Sequence, residues 1–162
     1  MSENTQIEVD LSSQQMTVFL DDGEMSCYPI SSAKNGPGEV LDSECTPRGL
    51  HVIAEKIGAA APENAVFVGR KPTGEIYSET LAESSGERDW ILTRIMWLDG
   101  REEGKNKGGK VDSKRRYIYI HGTPDSTPLR IPGSRGCIRM KNADIIELFE
   151  LVSVGTSIEI VE

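Results

Sequence analysis

The sequence predicts a mainly β chain: a mixed sheet or sandwich with one α-helix near its C-terminal end. Two observations carry that reading. Apolar residues alternate with polar ones over short runs bounded by turn residues, and helical spacing occurs convincingly in one stretch. Ile7, Val9 and Leu11 alternate with polar neighbours, as do Met16, Val18 and Leu20 after the polar turn Ser12 to Gln15. Asp21-Asp22-Gly23-Glu24 is a hairpin signal, because aspartate and glycine tolerate the backbone angles of a tight turn, and it leads into a strand from Met25 to Ile30. Leu50 to Ile53, Ala65 to Val68, Trp90 to Leu98 and Tyr117 to Ile120 supply further strands. The helix runs from Asn142 to Leu151. Asn142 caps it, Asp144 sits in its first turn, Ile145, Leu148, Phe149 and Val152 share a face, and Gly155 ends it. From Asp99 to Arg116 the chain is polar without an apolar period and reads as a mobile loop. It feeds the strand that carries His121, so a lid over the site is one role for it and a plain surface connection the other.

At 162 residues the chain suits one domain, 1–162, with enough interior for a hydrophobic core that needs no disulfide staples. Its three cysteines, Cys27, Cys45 and Cys137, show no CxxC spacing, so neither a disulfide framework nor a zinc knuckle is signalled. Two histidines, His51 and His121, are too few and too scattered for a metal site, and no cofactor is expected. A net charge of −8 argues against nucleic acid as a partner, since phosphate contacts need a basic face. The N-terminal run Met1 to Asp10 is polar and acidic where a secretory signal would be basic and then apolar. No apolar run approaches the roughly 18 residues that span a bilayer. The expectation is a cytoplasmic protein without a membrane anchor, with the periplasm as the alternative if a leader has been removed.

The chemistry concentrates late in the chain. Ser134-Arg135-Gly136-Cys137-Ile138-Arg139-Met140 follows the pair His121-Gly122, which ends the apolar stretch Tyr117 to Ile120. A thiol does acyl chemistry as a thiolate, and an imidazole within hydrogen-bond reach both deprotonates it and later protonates the leaving amine. Glycine before the cysteine lets a substrate carbonyl approach backbone N–H groups aimed at it. The bland alternative is a buried structural cysteine and a histidine capping a strand. His51 reads as a packed or substrate-facing side chain. Trp90 and Trp97 belong to an apolar strand whose default role is core, while Tyr117 and Tyr119 share a face and would pack against the imidazole. Thr123 and Ser134 are weaker nucleophiles than Cys137. Arg130, Arg135, Arg139 and Lys141 fall in a stretch free of acids and suit an anionic ligand, arginine in particular having the planar fork that matches a carboxylate; a solvated basic patch is the other reading. His121 and the arginines are expected to lower the Cys137 pKa below the free value of about 8.5.

These residues resemble the YkuD-type L,D-transpeptidase family, whose signature is a strand-end His-Gly or His-Ser, a loop, then Ser/Thr-x-Gly-Cys with an apolar residue and often Arg. Four further segments fit it: Thr46-Pro47-Arg48-Gly49, the loop Lys34 to Gly38, Trp90 to Leu98, and Asn142 to Leu151 with the strand Ser157 to Val161. Arg135 stands where many members carry histidine. The resemblance implies the family's β-sandwich-like catalytic fold. It also implies that Cys137 is the nucleophile and His121 the base and then acid, that the carbonyl of Gly122 holds the imidazole tautomer, and that N–H groups around Arg135, Gly136 and Cys137 receive the oxyanion. Peptidoglycan stem peptides or muropeptides are the implied partners, cleaved between diaminopimelate and the terminal D-alanine. Ser134, Arg135, Arg139, Arg130 and Thr123 are candidate substrate-binding residues, the arginines for stem carboxylates. Carbapenem-type β-lactams are implied covalent inhibitors. Water as acceptor gives an L,D-carboxypeptidase of murein recycling, the expectation favoured here by the N-terminal reading. An amine gives an L,D-transpeptidase that forms 3-3 cross-links or attaches protein to the wall. A non-catalytic muropeptide-binding module is the alternative from another class.

Overall fold

The computed structural model describes residues 4–162. Ten strands form one mixed sheet: β1 (Gln6–Asp10), β2 (Gln15–Phe19), β3 (Met25–Ser31), β4 (Gly49–Ile57), β5 (Ala65–Val68), β6 (Lys71–Ile76), β7 (Ile91–Gly100), β8 (Tyr119–Thr123), β9 (Ile138–Lys141) and β10 (Ser157–Val161). Their order is β4-β10-β1-β2-β3-β9-β8-β7-β5-β6, and β4 also pairs with β7, so the sheet closes on itself with the β5–β6 hairpin projecting from β7. Two pairings are parallel, β1 with β10 and β8 with β9. The mainly β, mixed-sheet expectation holds.

Period-two alternation builds the interior. Ile7, Val9, Met16, Val18, Tyr28, Ile30, Ile120, Ile138, Met140, Ile158 and Ile160 point into one main core, which α2 (Asn142–Leu151) completes with Ile145, Leu148 and Phe149. On the other face of β8 a second cluster forms from Phe67, Ile95 and Tyr119, with Trp97 and Cys137 packed against it. The nucleophile candidate therefore sits on a firm apolar floor, with the projecting hairpin rising beside it.

Several elements depart from the sequence expectation for physical reasons. A second helix, α1 (Glu79–Ser85), buries no side chain and so leaves no apolar period to read; Ser78 caps it by accepting from the Leu81 amide at 3.0 Å. Strand β6 is exposed along nearly its whole length and carries Pro72 and Gly74, which hid it. Strand β8 begins two residues later than expected because Tyr117 is left-handed (φ +57°) and the Ile118 amide turns to the Ser113 carbonyl. Asn142 does not cap α2. Lys141 takes that position, and the buried Asn142 amide instead accepts from Thr93 Oγ1 (2.7 Å) and donates to Asn64 Oδ1 (2.9 Å), tying α2 to the bulge in β7 where Thr93 is itself left-handed (φ +74°).

The polar segment after β7 is packed rather than loose. Asn106 is fully buried and donates to the carbonyls of Arg48 and Leu50, Glu102 accepts from the Leu50 amide, and a 3₁₀ turn spans Gly109–Val111. His51, in β4, is buried beneath it. A carbonyl only accepts, so the 3.0 Å contact with Gly49 puts the proton on Nδ1, and Nε2 accepts from Ser113 Oγ at 2.8 Å. His51 is therefore structural, and burial pulls its pKa down to about 4.

The sign of the resulting pH dependence is fixed. An unfolded histidine titrates near 6.5. Between there and about 4 the unfolded chain binds the extra proton, so His51 stabilises the fold fully above that window and loses its contribution as pH falls through it. The total is about 3 kcal/mol. Urea unfolding of wild type and His51→Gln from pH 7 to 4 checks it: the wild-type curve should fall more steeply over that range, and parallel curves would refute the assignment.

Candidate active site

The nucleophile loop is held in place from both sides. Ser134 Oγ donates to the Cys137 carbonyl and accepts from the Gly136 amide at 3.2 Å, folding the Ser-x-Gly-Cys run into a tight turn. Gly136 needs its positive φ of +132°, and a β-carbon there would lie 3.3 Å from the Cys45 carbonyl. Behind it, Thr46 Oγ1 donates to the Gly136 carbonyl at 2.9 Å while accepting from the Ala33 amide. Arg116 donates to the Cys45 carbonyl at 2.7 Å and to the Gly38 carbonyl at 3.3 Å, clamping this supporting loop. The loops 34–38 and 46–49 thus act as a backing plate for residues 134–137.

Cys137 and His121 line one cavity of about 540 Å³, together with Gly69, Arg70, Asp89, Ile91, Tyr117, Tyr119, Ser134 and Arg135. Parallel pairing of β8 with β9 sets Ile120 opposite Ile138 and His121 opposite Arg139, which brings the two reactive residues to one end of one sheet face. His121 is buried, and its Nδ1 lies 2.7 Å from the Gly122 carbonyl. The carbonyl accepts, so Nδ1 carries the proton and Nε2 keeps its lone pair for use as a base. Gly122 itself has no room for a side chain: a β-carbon would meet Asn142 Oδ1 at 2.4 Å and the Leu92 carbonyl at 2.7 Å.

The thiol is differently placed from the expectation. Cys137 Sγ donates to the Tyr117 carbonyl and accepts from the Tyr119 amide, both at 3.3 Å. Burial pushes the thiol pKa up to about 12, against the Tyr119 N–H and the charge of Arg116, which pull the other way; burial likewise lowers that of His121. This runs against the expected partial thiolate: desolvation outweighs the nearby cations and favours the neutral thiol beside a neutral imidazole.

Of the candidate binding residues, Ser134 and Arg135 line the cavity. Arg139 lines an adjoining cleft. Thr123 and Arg130 line neither: Thr123 is buried against Thr127 (2.9 Å), and Arg130 is an exposed turn residue with φ +67°. The Gly136 N–H, one of the expected oxyanion donors, here donates to Ser134 Oγ at 3.2 Å. The segment 101–115 does not line the cavity, which counts against the lid reading; the β5–β6 turn does line it, and there Arg70 donates to Tyr119 Oη at 2.9 Å and stacks 4.4 Å from the Trp97 ring. Sequence reasoning missed Arg70 and Asp89. Arg70 sits in a tight turn with φ +66°, and Asp89 in an acidic stretch that reads as surface; neither position carries a local signal. Cys27 and Cys45 are free thiols, and among the described residues no His, Cys, Asp or Glu cluster has metal-site geometry.

Residues 4–160 match the family described as YkuD: L,D-transpeptidase catalytic domain. The chain belongs to the YkuD family. A putative L,D-transpeptidase YkuD of Bacillus subtilis is 36% identical over 61 residues, covering 35% of this chain and 37% of that protein. The probable L,D-transpeptidase ErfK/SrfK of Escherichia coli is 43% identical over 47 residues, 29% of this chain and 15% of the relative. The chain thus spans well under half the length of these curated relatives. Among solved structures, L,D-transpeptidase 3 from Mycobacterium tuberculosis superposes with a TM-score of 0.60 at 16% identity, over 98% of this chain and 61% of that one. LdtMt1 in complex with imipenem gives 0.56 at 21%, over 97% and 58%. At such identities these two establish the fold, here that of a YkuD catalytic domain.

Proposed function

We propose that this YkuD domain is a cysteine acyl-transferase acting on peptidoglycan stem tetrapeptides at the bond between diaminopimelate and the terminal D-alanine. The observation that carries the reading is the convergence, in one open cavity, of Cys137 with a buried His121 whose tautomer leaves Nε2 free. The stem peptide displaces the weak S–H bond to Tyr117, and His121 Nε2 takes the proton as sulfur attacks the carbonyl. With Gly136 engaged by Ser134, the amides of Arg135 and Cys137 receive the oxyanion. His121 returns its proton to the departing amine, and D-alanine leaves an acyl-enzyme on Cys137.

An amine is the acceptor we favour, which makes the domain an L,D-transpeptidase. The thiol cavity adjoins a second cleft of about 360 Å³, sharing Asp89, Ser134 and Arg135 with it, so there is room for an acceptor beside the acyl group. Water in the same place gives the L,D-carboxypeptidase reading, with a cytoplasmic recycling role. Incubating the protein with disaccharide-tetrapeptide, with and without an amine acceptor, and weighing the products separates them: amide product in excess of tripeptide supports transfer, and tripeptide alone in both arms overturns it. Solved relatives include LdtMt1 in complex with imipenem and an L,D-transpeptidase 3 in complex with a faropenem-derived adduct. A carbapenem adduct on Cys137 is accordingly expected here by intact-mass analysis, and no adduct after long incubation would mean a site closed to acylation.

A further inference from the structure

The cleft beside the thiol cavity holds an unpaired cation. Arg139, two residues beyond the nucleophile, projects into a space lined by Asp89, Trp90, Gly133, Ser134 and Arg135. Its guanidinium is fixed: one terminal nitrogen donates to Ser31 Oγ at 2.8 Å, and Ser31 in turn donates to the Ile131 carbonyl. It also lies against the backbone at Gly133, where a β-carbon would come within 2.5 Å of that nitrogen. Its Nε is buried without a hydrogen-bond partner, and among the described residues no carboxylate lies within 4.0 Å of it. Arg88 in the same cleft is already committed to Glu75 at 3.0 and 3.2 Å. The carboxylate that acts on it, Asp89 in the same cleft, lies beyond ion-pair distance, so the half-buried guanidinium has lost water without a contacting counter-ion and gains from a ligand that supplies the anion. A planar fork held rigidly by one edge is shaped for a carboxylate.

We propose that this cleft seats the amino acid on the amine side of the reacting bond, and that Arg139 recognises the carboxylate one carbon away from that amine. The assignment rests on the acyl-transfer reading above. The cleft adjoins the thiol, so it first holds the terminal residue of the donor, whose free carboxylate marks it as terminal. After that residue leaves, it holds the acceptor amine. The exposed carboxylate of Asp89, at the mouth shared by both cavities, draws in a cationic amine, and Trp90 forms an apolar wall against the side chain. In the first half-reaction the carbon–nitrogen bond breaks, a carbon–sulfur bond forms, and the thiol proton passes through His121 to the leaving nitrogen. In the second, the acceptor nitrogen forms the new bond to carbon, its proton goes to His121, and sulfur leaves and recovers that proton. No other reactant is needed. Selection of a carboxylate next to the amine restricts cleavage to the chain end and restricts acceptors to α-amino acid centres.

The test compares stem tetrapeptides ending in D-alanine and in D-alaninamide. Capping the carboxylate should lower wild-type kcat/KM by about 10- to 100-fold, the range for one hydrogen bond to a charged group. In Arg139→Gln the two substrates should become nearly equivalent, and Arg139→Lys should restore part of the preference. A merely structural role would lower both substrates together and leave their ratio unchanged. A wild-type ratio near one, or a full ratio retained in Arg139→Gln, would overturn the proposal, and the wild-type comparison stands even if the variant fails to fold. In parallel, D-alanine and D-alaninamide are titrated into Cys137→Ala protein while backbone amide shifts are followed by NMR. D-alanine alone should move residues 133–139. If no substrate releases D-alanine, the functional reading falls, and this titration still decides the subsite: shifts specific to D-alanine uphold it, and equal or absent responses refute it.

Discussion

Cys137→Ala should abolish D-alanine release, by at least about 10⁴-fold, the scale on which loss of a covalent nucleophile is felt. Cys27→Ala and Cys45→Ala should retain most activity. The three thiols differ in surroundings and not in chemistry. Cys27 is exposed on β3, and Cys45 contributes its carbonyl to the backing of Gly136 and keeps that role as alanine. Cys137 alone lies in the cavity with His121. Steady-state release of D-alanine from tetrapeptide by the three variants checks this, and substantial turnover by Cys137→Ala would end the nucleophile assignment and leave a binding module as the better reading.

The second large effect is a slow thiol. With its pKa pushed up to about 12, Cys137 holds far fewer thiolates at pH 7 than an ordinary cysteine. The deficit against a free thiol of pKa about 8.5 is roughly 10³-fold. In a Cys27→Ala/Cys45→Ala background, iodoacetamide should therefore alkylate Cys137 slowly at pH 7, with a rate still climbing at pH 10. Because deprotonation is coupled to attack, His121→Ala should reduce turnover far more than alkylation. A rate that levels off at or below pH 8.5 would indicate a preformed thiolate–imidazolium pair and contradict the neutral resting state.

Those two expectations show where the sequence was legible. Residues that act through local pattern were read directly: the alternating strands, the apolar face of α2, and the Ser-x-Gly-Cys turn whose serine and glycine hold the cysteine main chain. Residues that act through the closed sheet were not. Arg70 reaches Tyr119 across 49 positions, and Asn142 joins Asn64 across 78, contacts that exist only once β7 has paired with β5 on one side and β8 on the other. The thiol pKa failed for the same cause. Counting nearby arginines predicts a thiolate, whereas the apolar floor of Phe67, Ile95 and Trp97 that opposes it comes from other strands. Thr123 and Arg130 lie outside both clefts, because proximity in sequence to His121 and Cys137 does not settle which way a side chain turns.

Acylation of Cys137 by a stem tetrapeptide with help from His121 can be caught by mixing wild-type protein with disaccharide-tetrapeptide, quenching within the first turnover in acid, and weighing the intact protein. A covalent gain equal to the disaccharide-tripeptide acyl group is expected, located on Cys137 by peptide mapping, appearing with one equivalent of D-alanine and absent from Cys137→Ala. Release of D-alanine without any acylated protein, or the same adduct on a residue other than Cys137, would contradict it.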